Sequence, residues 1–437
     1  AHDVVGGLPK VEGRQVNNSW AMAESGISGD ARVAGIVVRK YGGSSLATPE
    51  LVRGVAARVA DLAAAGRRIV VVVSAMGDAT DRLVALAGQF TDRPDPRELD
   101  QLLATGEQVS AAVLTLALTR RGVDAVSLTG DQAGIEVTGG PGAGTIAHID
   151  PDRILDGLRD GRVVVVAGFQ GRDHDGELRT LGRGGSDTTA VALAAVLGAA
   201  ECEICTDVEG VRTADPRIVP DTRQVPSISY EAMSELARGG ARVLHPRSVE
   251  LAGQHGVTVH VRHSSRTGAS TRVRAVEPAL ERGGEVVGIA HDRDVRLLRI
   301  EAPGLSPDRG ARLLADLARH GLHPDTLSWP GAGELRFTLR GTAPFAGPAR
   351  QLVEDLGARW TLDDDLGAVS VVGTGLLDRP DMPAEVLRTA GELGATMPAM
   401  AISAGRLTAV LPLDRLDHAV RALHRAFHLD RPAEARP

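Results

Sequence analysis

A chain of 437 residues is longer than one hydrophobic core usually grows, so two or three folded units are expected. Hydrophobic residues make up 43% of it but aromatic residues only 2%, so Val, Leu, Ile and Ala must fill the interior, a composition suited to parallel strands under Ala-rich helices. The 49 Lys and Arg against 56 Asp and Glu leave a net charge of −7 with no basic block, which argues against nucleic acid as a partner.

Only Cys202 and Cys205 are present, too few for a disulfide framework. No leader-like apolar run opens the sequence, and no uncharged apolar stretch reaches membrane-spanning length. The expectation is a soluble, cytoplasmic protein without a membrane partner. The two cysteines form a C-x-x-C, but no second pair stands at zinc-finger spacing and the segment otherwise reads as strand, so a metal or redox role is the weaker reading.

Residues 1–34 are polar, Gly- and Asn-containing and aperiodic, as expected of a flexible extension or an artificial leader. From residue 35 the pattern alternates. The apolar run Gly35–Val38, a helical stretch Pro49–Ala65 and the buried-strand pattern Ile69–Val73 give β-α-β order. Further strands are predicted at Val163–Val166, Glu203–Cys205 and Val257–Val261, with helices at Asp187–Leu197 and Tyr230–Arg238 between them. Residues 35–283 are therefore expected to form an α/β domain, an open and mainly parallel sheet sandwiched by helices.

Near Arg282–Gly284 the character changes. One β-α-β-β-α pass takes strand Val295–Ile300, helix Arg309–His320, a weak strand near Leu327, strand Glu334–Leu339 and helix Gly347–Leu356. A second takes Ala368–Val372, helix Ala384–Leu393, Met397–Ile402, Leu407–Leu411 and helix Leu416–Ala426. Two consecutive ferredoxin-like α+β units are expected, at 284–366 and 367–437.

Three constellations could carry chemistry. Lys40-Tyr-Gly-Gly-Ser-Ser45 lies where a strand ends and a helix begins: glycines let backbone amides approach an anion, and a lysine supplies a point charge for phosphate. The lysine precedes the glycines, so this is not a Walker A loop, and a Gly-rich turn beside a surface lysine would look the same. Thr180-Leu-Gly-Arg-Gly-Gly-Ser-Asp-Thr-Thr189 is a second loop-to-helix junction. An ordinary N-cap accounts for Ser186 or Asp187 but not for Arg183 between glycines, whose planar fork suits a carboxylate. Thr206-Asp-Val-Glu-Gly-Val-Arg-Thr-Ala-Asp-Pro-Arg217 follows the cysteine-bearing strand, where open α/β sheets bind ligands, and Arg217 could meet phosphate; taken alone, Asp215-Pro216 is also simply a turn.

With Ser74-Ala-Met-Gly77, Thr105-Gly-Glu107, Ser127-Leu-Thr-Gly130, Ala167-Gly-Phe-Gln-Gly171 and Val243-Leu-His-Pro246, these segments resemble the aspartate kinases in order and approximate spacing, over about Val37 to Leu429. Gly288–Asp294 is similar to the start of that family's paired ACT domains. The resemblance implies phosphorylation of the side-chain carboxylate of L-aspartate by ATP with Mg²⁺. It implies that Lys40, Gly42, Gly43 and Ser44 hold the transferred phosphate, and that Glu107 and Arg183 hold the amino and α-carboxyl groups of aspartate. Ser186 and Asp187 would line the reacting centre, with Ser74 in the same cleft. Thr206, Asp207, Arg212 and Arg217 would surround the nucleotide, and Arg242 would lie near its phosphates.

No strong base is needed, because an aspartate side-chain carboxyl, which ordinarily titrates at about 3.9, is already ionised near neutral pH. Mg²⁺ would ride mainly on phosphate oxygens, without a dedicated protein cage. Homo-oligomerisation through the ACT units is implied, with an amino-acid effector bound there. The sequence departs from the family at Arg212, where a tyrosine is usual, and at Arg242, where a lysine is usual. The segments Gly321-Leu-His-Pro-Asp325 and Gly394-Ala-Thr-Met-Pro398 lack the usual effector-contacting residues, so weak or altered feedback control is expected. A kinase for another amino acid or an aspartate analogue, and an inactive ligand sensor, remain the alternatives. His418, His424 and His428 on the last helix are expected to lie on a solvated face rather than to bind zinc.

Overall fold

The computed structural model describes residues 35–431, apart from 267, 277–284, 320, 321, 323, 332, 341–344, 346, 347 and 356. The extension expected over 1–34 and the boundary expected at 283/284 lie outside the described residues.

The first part of the chain runs β1 (Ile36–Tyr41), α1 (Pro49–Ala64), β2 (Arg68–Val73), α2 (Ala79–Gly88), α3 (Pro96–Thr119), β3 (Ala125–Leu128), β4 (Ile135–Thr138), β5 (Thr145–Ile149), α4 (Asp152–Arg159), β6 (Val163–Ala167), β7 (Gln170–Arg172) and β8 (Leu178–Thr180). It continues through α5 (Gly185–Val196), β9 (Glu201–Thr206), β10 (Ser227–Ile228), α6 (Tyr230–Arg238), α7 (Pro246–His255), β11 (Val259–His263) and β12 (Thr271–Val273). Eight strands form one sheet in the order β10-β12-β11-β9-β1-β2-β6-β3, parallel at every junction except β11/β12. A second sheet, β5-β4-β7-β8, is built from the segments on either side of β6.

The valine runs of β2 and β6 are buried on both faces, as parallel strands covered by helices must be. Helix α5 is buried at every position from Gly185 to Ala194, so it lies inside the fold and not on its surface. Starts are legible locally: Thr48 accepts from the Leu51 amide ahead of Pro49, and Asp95 accepts from the Arg97 and Glu98 amides ahead of Pro96. Helix α3 is long and apolar enough to cross a membrane by length and composition. It packs on α1 and the sheet, however, and carries Asp100, Glu107 and Ser110 into the interior.

The second part runs β13 (Glu285–Glu301), α8 (Pro307–Arg319), β14 (Pro324–Gly331), β15 (Glu334–Arg340), α9 (Pro348–Asp355), β16 (Arg359–Thr374), α10 (Asp381–Glu392), β17 (Ala399–Ile402), β18 (Arg406–Pro412) and α11 (Leu413–Ala426). Its strands form one antiparallel sheet, β14-β15-β13-β16-β18-β17. This corrects the expectation of two consecutive units. Val295–Glu301 pairs with β15 and with the first half of β16, whereas Glu285–Asp292 pairs with the second half of β16. The unit containing α10 and α11 is therefore completed by a strand that precedes the unit containing α8 and α9, and the expected boundary at 366/367 falls inside β16. Pairing is a non-local choice that apolar runs do not reveal. The strand near Leu327 is the eight-residue β14; as a largely exposed sheet edge it has little apolar signal.

Two cores flank this sheet. One gathers Leu298, Ile300, Leu313, Leu317, Phe337 and Val353 under α8 and α9. The other, under α10 and α11, holds Ile289, Val371, Leu407, Val420 and Leu423 together with Ala214, Ile218 and Val219 from the loop after β9. His424 is 1% exposed in this second core, against the solvated face expected for it, while His418 is exposed.

A chain ending at Asp365 would strand Glu285–Asp292 without its partner and uncover Ala214, Ile218 and Val219. The expected outcome is aggregation and rapid proteolytic nicking within 207–224; a soluble product resistant in that loop would contradict the nested arrangement.

Candidate active site

Lys40 stands near the carboxyl end of β1, beside the first turn of α5. Its Nζ lies 2.6 Å from Asp187 Oδ1, with only 13% and 12% of the two side chains exposed. Both charges are thus largely withdrawn from water and neutralised chiefly by one another. Gly184, at φ +72°, turns the chain into α5, and a Cβ there would meet the His245 ring at 2.1–2.7 Å, so only glycine fits.

The glycine turn after β1 is held against the loop after β2. The Gly77 amide donates to Gly43 O at 3.0 Å, the Ser74 amide donates to Tyr41 O at 3.1 Å, and a Cβ on Gly43 would come within 2.6 Å of Ala75 O. Glu107, from α3, closes the same corner. It is 4% exposed; Oε1 accepts from the Ala75 amide at 3.0 Å and Oε2 has no hydrogen-bond partner among the described residues. Burial pushes its carboxyl up to about 7, opposed by the Ala75 amide and the Lys40 charge. Such an oxygen is suited to an ammonium group. On the far side, Ser186 packs on Gly168, where a Cβ would meet Ser186 Oγ at 2.9 Å.

Lys40, Gly42, Gly43, Ser44, Ser74, Glu107, Ser186 and Asp187 thus come from four places: the end of β1 with the turn after it, the loop after β2, helix α3 and the first turn of α5. Arg183 is exposed and makes no ion pair among the described residues. Of the remaining predicted residues, Thr206 ends β9, Asp207, Arg212 and Arg217 follow it in the next loop, and Arg242 lies between α6 and α7. Thr206 Oγ1 donates to Asp207 Oδ1 at 2.9 Å, and Arg217, 87% exposed, pairs with Asp215 at 2.7 Å. Arg212 is half-buried and donates through Nε to Thr222 Oγ1 at 2.7 Å. Arg242 reaches Asp294 on β13 at 3.3 Å, with 81% of its side chain exposed. Cys202 and Cys205 are both buried, and three positions apart on β9 they point to opposite faces of the sheet, with burial pushing the Cys205 thiol up to about 11.

Several bracing residues escaped sequence reasoning. Asp100, on the buried face of α3, accepts from the amides of Gly142 and Thr180 and from Thr180 Oγ1 at 2.6 Å. Arg247 donates to Leu181 O at 2.8 Å and to Gly144 O at 2.9 Å. Together they fix the turn bearing Arg183. Phe169 adopts φ 69° and packs against Gly185, where a Cβ would lie 2.8 Å from the ring. A carboxylate interrupting an apolar helix face, as Asp100 does, was the available signal.

Residues 35–263 match the amino acid kinase family. The chain is 41% identical to an aspartokinase of Thermus thermophilus, over 91% of this chain and 99% of that one. It is 40% identical to an aspartokinase of Mycolicibacterium smegmatis over 92% and 98%. The chain belongs to the aspartokinase family. Among solved structures, aspartokinase III of E. coli in complex with aspartate and ADP is similar at a TM-score of 0.75 and 25% identity, covering 89% of this chain and 99% of that one. This aspartokinase-family chain is accordingly a kinase.

The Glu107 carboxyl has a folded-state value near 7 against an ordinary 4.5, so between those values the native state binds more protons than the unfolded one. Its contribution to stability is full below about pH 4.5 and is lost as pH rises through about 7. Glu107→Gln removes this penalty: its melting temperature relative to the parent is expected to rise progressively from pH 5 to pH 7.5, and thermal melts across that range check it.

Proposed function

We propose that the chain transfers the γ-phosphoryl group of ATP to the side-chain carboxylate of L-aspartate, giving 4-phospho-L-aspartate and ADP. The observation that carries this reading is the Lys40–Asp187 pair at 2.6 Å beside a buried Glu107 carboxylate with one unpartnered oxygen. A cation for phosphate and an anion for an ammonium group are what a zwitterionic acceptor and a polyphosphate donor together require.

In this reading Glu107 takes the ammonium and Arg183 the α-carboxylate, leaving the side-chain carboxylate directed at the phosphate. A carboxylate oxygen attacks phosphorus, the bond to the bridging oxygen of ADP breaks, and no proton has to move. The chain's task is to align the reactants and neutralise charge. Lys40 and the Gly42–Ser44 turn cradle the transferred group, Asp187 holds Lys40 in place, and Ser74 and Ser186 line the cleft. Thr206, Asp207, Arg212 and Arg217 take the nucleotide, with Arg242 at its edge. The cleft's ammonium and amide donors suit phosphate oxygens, so Mg²⁺ carried on ATP fits without a protein cage and would supply further neutralisation of phosphate charge. The open edges of β14 and β17 support homo-oligomerisation through the regulatory sheet, and a kinase of free amino acids fits a cytoplasmic setting.

Purified protein with MgATP should release ADP in an aspartate-dependent manner and yield a hydroxamate when hydroxylamine traps the acyl phosphate. Lys40→Ala should lower kcat by about 10²–10³-fold. Turnover without aspartate dependence, or with an analogue only, would redirect the substrate assignment.

We also read feedback control as weak or altered, since Gly394–Pro398 departs from the usual effector turn; Thr396, Met397 and Pro398 instead line a cavity of about 490 Å³ with Arg299, Asp363 and Asp365. Lysine plus threonine should inhibit weakly, and strong saturable inhibition in a rate assay would overturn this.

A further inference from the structure

The loop after β9 carries Asp207, Arg212 and Arg217, assigned above to the nucleotide, and is also sealed into the core beneath α10 and α11 through Ala214, Ile218 and Val219. Thr213 sits at the seam, and each of its polar groups is engaged. Its amide donates to Arg223 O at 2.9 Å, its carbonyl accepts from the Ile289 amide of β13 at 2.7 Å, and Oγ1 accepts from the Arg223 amide at 3.1 Å. The same Oγ1 lies 2.9 Å from His424 Nε2. His424 is 1% exposed and belongs to α11, 211 residues away in sequence.

While Thr213 reaches α11, the guanidinium of Arg212 beside it is held by Thr222, whose Oγ1 accepts from Nε at 2.7 Å and whose carbonyl oxygen also accepts from it. A second contact repeats the arrangement one helical turn earlier: Arg421 Nε donates to Ile218 O at 3.0 Å. The C-terminal helix therefore grips the loop at both ends of the stretch that lies between Arg212 and Arg217. A leucine would fill the volume of His424 equally well in an apolar core, so polar contact, including the hydrogen bond to Thr213, and not packing accounts for the imidazole.

We propose that His424 is a positioning residue of the nucleotide site, acting through Thr213 to set the face that residues 206–217 present to ATP. It rests on the assignment of that loop to the nucleotide, and the experiment separates the two. His424→Leu keeps volume and removes the hydrogen bond, Thr213→Val removes the other partner, His424→Gln restores a polar group, and Val386→Ala loosens the same core away from the loop.

Steady-state kinetics with ATP and aspartate varied in turn should show His424→Leu and Thr213→Val each raising KM for ATP about fivefold, with kcat and KM for aspartate within about twofold. The double variant should be no worse than either single one, His424→Gln should recover most of the loss, and Val386→Ala should lower Tm without moving KM for ATP. An unchanged KM for ATP in the two single variants, effects that multiply in the double variant, or an equal rise in Val386→Ala would overturn the proposal. Should His424→Leu fail to fold, Thr213→Val and His424→Gln carry the same comparison. If Arg217→Ala leaves KM for ATP unmoved while His424→Leu raises it, the nucleotide assignment of the loop fails and the long-range effect of α11 stands apart from it.

Discussion

The arrangement depends on an ion pair that has almost left water. Lys40 and Asp187 face each other at 2.6 Å, at 13% and 12% exposure, where β1 ends and α5 begins. Removing either partner would leave a charge whose solvation cannot be recovered, at a cost of roughly 3–5 kcal/mol for a buried pair. This constraint explains the glycines around it. Gly43 allows the β1 turn to approach Ala75 O, and Gly184 allows α5 to start against the His245 ring; a side chain at either point would pull the two charges apart.

In the proposed reading this corner needs no general base: the aspartate side-chain carboxylate is ionised before it arrives, so alignment and charge neutralisation suffice. Glu107 is the exception in its electrostatics: buried and accepting a single amide bond, it is held near 7 until a cation neutralises it. In the proposed reading the aspartate ammonium group meets that need, tying substrate recognition to the desolvation of one carboxylate.

The second part of the chain is not an appendage. Its sheet is closed by a strand taken from before the inserted unit, and its larger core encloses Ala214, Ile218 and Val219 of the loop after β9. Around this seam run further polar links: Arg406 pairs with Glu235 of α6 at 3.1 Å, and Arg340 bridges Asp292 and Asp325 at 2.9 Å each. A shift of α11 relative to β13 would therefore be felt at the loop before it reached the ion pair.

Local chemistry made much of this legible in the sequence. Valine runs identify β2 and β6 because buried parallel strands must be apolar on both faces, and Thr48-Pro49 marks a helix start because its cap is made within three residues. The motifs around Lys40, Glu107 and Asp187 were recognisable by order and spacing, together with the family they resemble. The sequence did not contain the pairing partner of a strand or the neighbour of a side chain. The nesting of the C-terminal units, the burial of His424 against Thr213, the bracing by Asp100 and Arg247, and the unpartnered oxygen of Glu107 all arise between residues far apart in the chain. Such contacts are chosen by how the whole core closes, and only the tertiary structure decided them.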